Sequence, residues 1–263
     1  MNLGLSGKVA LVSGASKGLG RAIAQALADE NASLVICSRR ETPLFAARDA
    51  IASSSGAEVL AVTADVSRQK DVENAVQAGL DHFGKVDILV TNAGGPPSAT
   101  FENLTPEMWD AAVQLTLMSV VRLCAALVPG MKERQWGRVI NVTSIAVKQP
   151  VAGLMLSNSV RSAVTGFART LANEVAPFGV TVNNVLPGYT QTERVEELAT
   201  AAAARDGTSA EAARSRWEAE IPMRRLGKPE ELAALVAFLA SDRASYITGS
   251  SIAVDGGWTR TLL

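Results

Sequence analysis

Cysteine is scarce in this chain, which has only Cys37 and Cys124 among its 263 residues. Both cysteines lie within apolar runs, and they do not form a C-x-x-C pair. A disulfide scaffold is therefore excluded, because small folds that depend on disulfides contain many more cysteines. We expect two reduced thiols in the core of a cytoplasmic protein.

An excess of charge of either sign is also lacking, because 25 Lys and Arg residues stand against 26 Asp and Glu residues. The formal net charge of -1 gives no electrostatic reason to expect binding to nucleic acid or to an anionic membrane. No uninterrupted apolar run approaches the ~18 residues of a membrane helix, and the N-terminus has no signal-like segment. We expect no membrane segment and no nucleic-acid partner.

Histidine is nearly absent, since His82 is the only one in the chain. No group of Cys, His and acidic residues has the spacing of metal ligands, so the sequence predicts no metal site. His82 lies shortly before the fourth predicted strand, at the end of the sheet opposite to the one where ligands bind in α/β folds. We expect its role to be structural.

The chain does contain short β-branched runs that alternate with longer segments of helical period. These runs are almost continuously apolar, as expected for strands whose two faces are both covered by helices. The seven predicted strands are residues 9–12, 33–37, 59–63, 86–90, 138–142, 180–186 and 250–254. The pattern predicts a Rossmann-type α/β fold with a doubly wound, parallel, seven-stranded sheet, formed by a single domain over residues 1–263.

Three predicted helices have starts that can be recognised from their chemistry. Ser67 precedes one of them, and Thr105 precedes another that has Pro106 at its first position. Thr208, with Glu211 three residues later, predicts a third start by the capping-box pattern.

Residues 191–222 interrupt the alternation of strands and helices with two short helical pieces around Arg205-Asp206-Gly207. We interpret this segment as a lid over a substrate site, because long insertions in compact domains are often functional. A surface helical hairpin without functional motion is the alternative. The predicted long helices 106–133 and 151–176 have small apolar residues on more than one face, so we expect them to pack against copies of the chain.

The first predicted strand is followed by a glycine-rich loop that leads into a helix. Three glycines let the backbone turn sharply and approach a pyrophosphate, which then lies at the positive end of the helix. A glycine-rich turn alone is weak evidence, but this one follows the first strand of an α/β chain and opens a helix. The loop predicts a dinucleotide site formed by Gly14, Ser16, Lys17, Gly18, Leu19 and Gly20.

The spacing Gly14-x-x-x-Gly18-x-Gly20 resembles the glycine motif of the short-chain dehydrogenases/reductases. The resemblance covers almost the whole chain and includes five further motifs: Asp65-Val66, Asn92-Ala93-Gly94, Ser144, Pro187-Gly188 and Asp255-Gly256-Gly257. Segments 225–231 and 246–249 are most similar to the 3-oxoacyl-acyl-carrier-protein reductases. The resemblance implies an oxidoreductase that acts on the carbonyl or alcohol group of a small-molecule or acyl substrate, and it implies a homotetramer.

The choice of cofactor depends on the end of the second strand, where an acidic side chain would bind both ribose hydroxyls and repel a 2′-phosphate. Ser38, Arg39 and Arg40 stand there, and Lys17 lies in the glycine loop, so NADP(H) is favoured over NAD(H). Alternatively, the two arginines are solvated charges at a strand end. The resemblance assigns the adenine to Asp65 and Val66, the adenosine ribose to Asn92, Ala93 and Gly94, and the nicotinamide and pyrophosphate to Pro187, Gly188, Thr190 and Thr192.

Members of this superfamily carry S-x12-Y-x3-K, with an Asn on the preceding long helix. In this chain Ser144 matches the serine, but Ser157 stands at the tyrosine position, Arg161 at the lysine position and Thr116 at the asparagine position. Neither of the two tyrosines in the chain is followed by lysine four residues later. The resemblance thus implies an active site in which three of the four catalytic residues are replaced.

The hydroxyl of Ser157 cannot be tuned as a phenol can, and a general acid works best with a pKa near the operating pH. Arg161 stays protonated, so it can hold a ribose or phosphate group but cannot relay a proton. Tyr189 and Lys148 are candidate replacement acids, and an ordered water is a third. Tyr189 is alternatively an apolar wall of the pocket, and Lys148 a solvated loop charge.

Three functions stay open at this point. The first is NADP(H)-dependent reduction of a carbonyl, or oxidation of an alcohol, at an altered site. The second is a nucleotide-binding regulatory or structural protein without catalysis, and the third is a lyase or another non-redox reaction in the same pocket. Val195, Leu198 and Trp217 in the lid indicate only a partly apolar ligand.

Overall fold

A computed structural model describes residues 2–262 of the chain. Its centre is a parallel sheet with the strand order β3-β2-β1-β4-β5-β6-β7. The strands are β1 (Val9–Ser13), β2 (Ser33–Ser38), β3 (Val59–Thr63), β4 (Ile88–Thr91), β5 (Gly137–Val142), β6 (Val180–Pro187) and β7 (Ser251–Val254). This sheet confirms the predicted Rossmann-type architecture, and each strand lies within two residues of its predicted bounds.

Helices connect the strands and cover both faces of the sheet. They are α1 (Gly18–Asp29), α2 (Glu41–Ser55), α3 (Gln69–Phe83), α4 (Pro106–Ala112), α5 (Ser119–Glu133), α6 (Met155–Val175), α7 (Glu193–Asp206), α8 (Ala210–Glu220) and α9 (Pro229–Ala240). A π-helical turn, Val113–Met118, joins α4 to α5. Helices α7 and α8 occupy the segment that the sequence predicts as a lid.

Two hydrophobic cores lie on the two faces of the sheet. One core joins α1, α2 and α9 to strand residues such as Val12, whereas the other joins α3, α5 and α6 to residues such as Leu11. Successive strand residues point to opposite faces, so burial on both sides requires the continuous apolar runs seen in the sequence. Cys37 and Cys124 are buried and unpaired in the second core, where burial raises the pKa of each thiol to about 12.

Two of the three predicted helix starts are shifted along the chain. Thr105 caps α4 as expected, because its hydroxyl accepts a hydrogen bond from the Met108 backbone N–H. The prediction at Thr208 is wrong by one residue: the Thr208 N–H closes the end of α7 on the Ala203 carbonyl (3.0 Å), and Ser209 caps α8 instead.

The prediction at Ser67 is wrong for a similar reason. Arg68 is the residue before α3, and the Ser67 hydroxyl donates to the Asp65 carboxylate (2.7 Å). The second long helix begins later than predicted, at Met155, because the preceding segment turns and Leu154 forms an isolated bridge with Ala99.

The stretch Pro106–Glu133 is the one helical stretch of residues 2–262 whose length and composition would allow it to cross a membrane, with a mean hydropathy of 1.9 in its most apolar window. Polar residues interrupt this stretch, so it does not contain the uninterrupted apolar run by which a membrane helix is predicted from sequence. Leu123, Leu127 and Met131 are buried in the second core, between the sheet and α3 and α6. This packing accounts for the high hydropathy.

Candidate active site

A cleft of about 800 Å³ opens beyond the carboxyl ends of the strands, where the chain reverses its winding between β1 and β4. Its lining brings together most of the residues that the sequence predicts: Gly14, Ser16, Lys17, Gly18, Leu19, Ser38, Arg39, Asp65, Val66, Asn92, Ala93, Gly94, Ser144, Ser157, Arg161, Pro187, Gly188, Tyr189, Thr190 and Thr192. These residues come from loops far apart in the chain, which meet because all the strands run in the same direction.

Glycine is required twice in the loop after β1 because there is no room for a side chain. A Cβ on Gly14 would lie 2.7 Å from the Asn92 carbonyl oxygen, and Gly14 also has a positive φ of 62°. A Cβ on Gly20 would lie 2.7 Å from the Asn92 amide nitrogen and would also collide with the Gly14 carbonyl. Gly20 is therefore behind the cleft wall and shapes it without lining it.

The N-terminus of α1 points into this cleft without a cap. Lys17, the residue before the helix, makes no side-chain hydrogen bond to the first turn, and that turn has no acidic residue. The N–H groups at the start of the helix are therefore open to an anion, which the helix dipole also favours. The loop has both features that a dinucleotide pyrophosphate requires: a close backbone approach and available N–H donors.

The region assigned to the adenosine combines carboxylate, amide and cationic groups. Asp65 Oδ1 accepts hydrogen bonds from the Ser67 backbone N–H (3.0 Å) and hydroxyl (2.7 Å), which fixes the carboxylate at the cleft edge. The Asn92 amide donates to the Ser13 and Gly14 carbonyls (both 3.2 Å), so it ties the end of β4 to the glycine loop. Arg39 is exposed and lines this end of the cleft.

Two charged residues at the start of α7 contact the loops that are assigned to the cofactor. Glu193 forms an ion pair with Lys17, which is the main reason that the pKa of Glu193 lies below its ordinary value, and the charge of Arg40 adds to the lowering. Arg194 Nη2 donates to the Pro96 carbonyl (2.7 Å) beyond β4. The first residues of α7 thus span the cleft from the glycine loop to the loop after β4.

Ser157 and Arg161 form a hydrogen-bonded pair at the end of β5. Arg161 Nε donates to Ser157 Oγ (3.2 Å), and Arg161 Nη1 donates to the carbonyls of Val142 (3.1 Å) and Thr143 (3.0 Å). Burial lowers the pKa of Arg161 to about 10, and repulsion by Arg194 adds to this effect. The guanidinium is still fully charged at neutral pH.

Tyr189 packs within an aromatic cluster at the lid side of the cleft. Its ring stacks on Trp217 with centroids 4.3 Å apart and meets Trp258 edge-to-face at 5.9 Å. Burial, and secondarily the charge of Glu220, raise the pKa of the Tyr189 phenol to about 12, against a smaller opposing effect of Arg205. The phenol is therefore a poor proton donor at neutral pH, and its ring forms a wall of the cleft.

Comparison with known proteins identifies the family to which this chain belongs. A family model described as enoyl-(acyl carrier protein) reductase matches residues 14–259. The chain is 37% identical to 3-oxoacyl-[acyl-carrier-protein] reductase of Vibrio cholerae (97% of this chain, 98% of the relative) and 35% identical to D-beta-hydroxybutyrate dehydrogenase of Cupriavidus necator (97% and 98%). The chain belongs to the short-chain dehydrogenase/reductase superfamily.

Solved structures of other reductases have the same fold. L-sorbose reductase from Gluconobacter frateurii, complexed with NADPH and L-sorbose, superposes with a TM-score of 0.94, 36% identity and complete coverage of both chains. A variant of the actinorhodin polyketide ketoreductase with NADPH superposes with a TM-score of 0.93 and 32% identity, over 97% of this chain and 98% of that one. The superfamily and its 3-oxoacyl-reductase branch, which the sequence motifs predict, are thus confirmed.

Some of the residues that the sequence predicts as functional or structural lie outside the cleft. Thr116 is buried in the π-helical turn, and its hydroxyl has no hydrogen-bond partner among the described residues. Lys148 and Trp217 are not part of the cleft lining. Trp217 instead stacks on the ring of Tyr189. His82 pairs with Glu58 (2.8 Å), the residue just before β3, so it lies away from the carboxyl ends of the strands.

Sequence reasoning missed Glu193 and Arg194. Acidic residues are common in the first turn of any helix, so Glu193 gives no signal of its own that it would reach Lys17 across the cleft. Arg194 follows directly, and its contact with Pro96 depends on how α7 lies over the loop after β4. A charged pair immediately after Thr192, at the start of the predicted lid, was the available hint.

Proposed function

We propose that this chain is an NADP(H)-dependent oxidoreductase of the 3-oxoacyl-acyl-carrier-protein reductase type, which reduces a carbonyl or oxidises an alcohol. We further propose that Ser157 and Arg161 take the positions of the superfamily's Tyr and Lys. The observation that carries the proposal is that one cleft has an uncapped glycine loop at one end and the hydroxyls of Ser144 and Ser157 beside a buried cation at the other.

The groups that would hold the cofactor extend along the cleft. The glycine loop would bind the pyrophosphate, Asp65 and Val66 the adenine, and Arg161 the nicotinamide ribose. Arg39 and Arg40 supply cations for a 2′-phosphate. Structural relatives crystallised with NADPH support this preference. When bound, the nicotinamide supplies or accepts the hydride.

The Ser157–Arg161 pair is suited to holding a substrate oxygen. Because Ser157 Oγ accepts a hydrogen bond from Arg161, the serine hydrogen is free to be donated to that oxygen. Ser144 Oγ accepts from the Ala146 backbone N–H (3.1 Å), which leaves its hydrogen free in the same way. The fixed positive charge of Arg161 stabilises negative charge that develops on the oxygen.

The proton itself must come from another source, because a serine hydroxyl does not ionise near neutral pH. We propose an ordered water as the final donor. Tyr189, whose phenol pKa is about 12, would instead act as an apolar wall.

We also propose how the rest of the chain serves this function. Residues 191–222 form a substrate lid within a single Rossmann domain, with Val195 and Leu198 lining the cleft. The substrate is a small molecule or an acyl group with an apolar part. The protein is a cytoplasmic homotetramer whose helices α5 and α6 pack against other copies.

Two binding titrations and an activity screen test this function. NADPH and NADH are titrated by nicotinamide fluorescence, and carbonyl compounds are then screened for consumption of bound NADPH. We expect tighter binding of NADPH than of NADH, a larger loss for NADPH in Arg39→Ala, and turnover of at least one carbonyl class. Binding without any turnover would instead favour a nucleotide-binding regulatory or structural protein.

A further inference from the structure

Arg161 is a buried cation without a counter-ion in the part of the chain that the structure describes. Its side chain is more than nine-tenths buried, and none of the carboxylates among residues 2–262 forms an ion pair with it. The guanidinium Nε and Nη1 donate to one hydroxyl and two backbone carbonyls, whereas Nη2 makes no hydrogen bond within the same residues. An unpaired buried charge is costly, so a bound anion would stabilise this arrangement.

A second guanidinium faces the same part of the cleft. Arg194 lines the cleft, and its charge is close enough to contribute to lowering the pKa of Arg161. The Arg194 charge is only partly compensated, because its partner Glu197 (3.1 Å) is exposed to solvent. Two cations that repel each other across one cavity favour an anion that contacts both.

The carboxylates that line the cleft do not fill this role. Asp65 is held by Ser67 at the adenosine end, Glu193 pairs with Lys17, and the exposed Glu197 pairs with Arg194 rather than with Arg161. The phosphates of a dinucleotide have their own donors at the glycine loop and at Arg39. The end of the cleft beside Ser144 and Ser157 therefore has uncompensated positive charge where a substrate would bind.

We propose that the substrate of this oxidoreductase carries a carboxylate next to its reacting carbonyl, as a 2-oxo acid does. Arg194 binds that carboxylate, and Arg161, which holds the nicotinamide ribose, attracts it with its uncompensated charge. The inference rests on the proposed function. The carbonyl oxygen then lies against the hydroxyls of Ser144 and Ser157, and the remainder of the molecule lies against the apolar residues Val151, Leu154, Val195 and Leu198. Arg194 is thereby a residue that determines substrate specificity.

The experiment measures binding by calorimetry and uses oxamate, an unreactive analogue of a 2-oxo acid, together with its neutral ethyl ester. Both are titrated into the full chain with and without NADPH. Arg194→Gln removes the charge, Arg194→Lys keeps it, and Arg214→Gln is the matched control. Arg214 is, like Arg194, a half-buried arginine of residues 191–222, but it pairs with Glu196 (3.0 Å) outside the cleft lining.

We expect oxamate to bind more tightly than the ester, and Arg194→Gln to weaken oxamate by about tenfold or more, which corresponds to the loss of one charge-assisted hydrogen bond. Arg194→Lys should retain part of the affinity, and Arg214→Gln all of it. Equal affinity for oxamate and the ester, or an oxamate affinity that does not change in Arg194→Gln, would overturn the inference.

The design separates this inference from the proposed function. If neutral ketones are reduced with NADPH but oxamate does not bind, the carboxylate site is wrong and the oxidoreductase stands. If oxamate binds in an Arg194-dependent way but NADPH does not bind, the anion site stands and the oxidoreductase is wrong. The titration without NADPH gives a result in either case.

Discussion

At the scale of single residues, the proposed exchange of the superfamily's Tyr and Lys for Ser157 and Arg161 would change how the cleft handles a proton. A lysine can lose its proton and a phenol can be tuned, whereas a guanidinium holds its charge and its geometry. Arg161 Nε and Nη1 make three hydrogen bonds that fix it to Ser157 and to the end of β5. The result is a site that can hold an oxyanion firmly but has no side chain that ionises near neutral pH to supply the proton.

Restoring the phenol should restore general acid catalysis. The variant Ser157→Tyr with Arg161→Lys places a tunable acid and its partner beside Ser144, and Thr116→Asn completes the superfamily pattern. We expect carbonyl reduction to rise by up to the ~10²- to 10⁴-fold that general acids contribute. The matched control is Ser157→Phe with Arg161→Lys, which has the same ring without the hydroxyl. Equal rates in the Tyr and Phe variants would show that the phenol does not reach the substrate.

The pH dependence of the unaltered protein should be flat around neutrality. Arg161, with a pKa of about 10, and Tyr189, with a pKa of about 12, both keep their protons from about pH 6 to pH 9. We therefore expect kcat/KM to be constant over this range and to fall as the pH passes about 10, where Arg161 loses its charge. Tyr189→Phe should leave this profile and the NADPH affinity unchanged. An inflection near pH 7, or loss of activity in Tyr189→Phe, would identify a titrating acid that this mechanism lacks.

At the scale of secondary-structure elements, the start of α7 links the glycine loop to the loop after β4. Thr192 lies next to Gly18, Glu193 pairs with Lys17 and Arg194 reaches Pro96, so consecutive residues contact both cofactor loops. Lys17 is one of the cations expected to meet a 2′-phosphate, and in this structure Glu193 already pairs with it. A bound phosphate and Glu193 therefore compete for the same ammonium group.

Removing this competition should strengthen NADPH binding. Glu193→Gln abolishes the carboxylate, and we expect the Kd for NADPH to fall by about two- to fivefold, which is the effect of one exposed ion pair. The Kd for NADH should change little because NADH has no 2′-phosphate. Glu196→Gln is the control, since Glu196 lies on the same helix and pairs with Arg214 (3.0 Å). Weaker NADPH binding in Glu193→Gln would mean that Glu193 supports the cofactor site.

The elements and the glycine loop could be predicted because they depend on local chemistry. Continuous apolar runs specify the strands, and the segments of helical period between them specify the helices. The spacing of Gly14, Gly18 and Gly20 specifies a phosphate loop. The contact between Glu193 and Lys17 joins residues 176 positions apart, so it depends on how α7 lies over the sheet, which no local pattern encodes. The shift of the predicted cap from Thr208 to Ser209 has a local cause. The Thr208 N–H donates a hydrogen bond to the Ala203 carbonyl at the end of α7, so the next helix begins one residue later.

At the scale of the whole molecule, α5 and α6 present an apolar groove of about 710 Å³ to the outside. Among its lining residues are Val121, Ala125 and Val128 from α5 and Phe167 and Leu171 from α6. Packing against another copy of the chain would cover this apolar surface. This groove lies on the two helices that the sequence predicts to pack against other copies.

A charge in the groove should break the assembly. Ala125 is exposed, so Ala125→Glu introduces a carboxylate at the interface without disturbing the core. We expect the unaltered chain to sediment as a tetramer and Ala125→Glu as a smaller species of unchanged fold. Ala126→Glu, an equally exposed neighbour outside the groove, should sediment like the unaltered chain. A monomer at micromolar concentration in the unaltered chain would refute this arrangement.

The proposed function requires that this chain transfers hydride with Ser157 and Arg161 at the positions of the superfamily's Tyr and Lys. The most direct measurement incubates the unaltered protein with NADPH deuterated at the transferable position and a carbonyl substrate from the screen, and analyses the product by mass spectrometry. We predict an alcohol that carries one deuterium on its former carbonyl carbon. Tight binding of NADPH with no labelled product from any carbonyl class would contradict the claim.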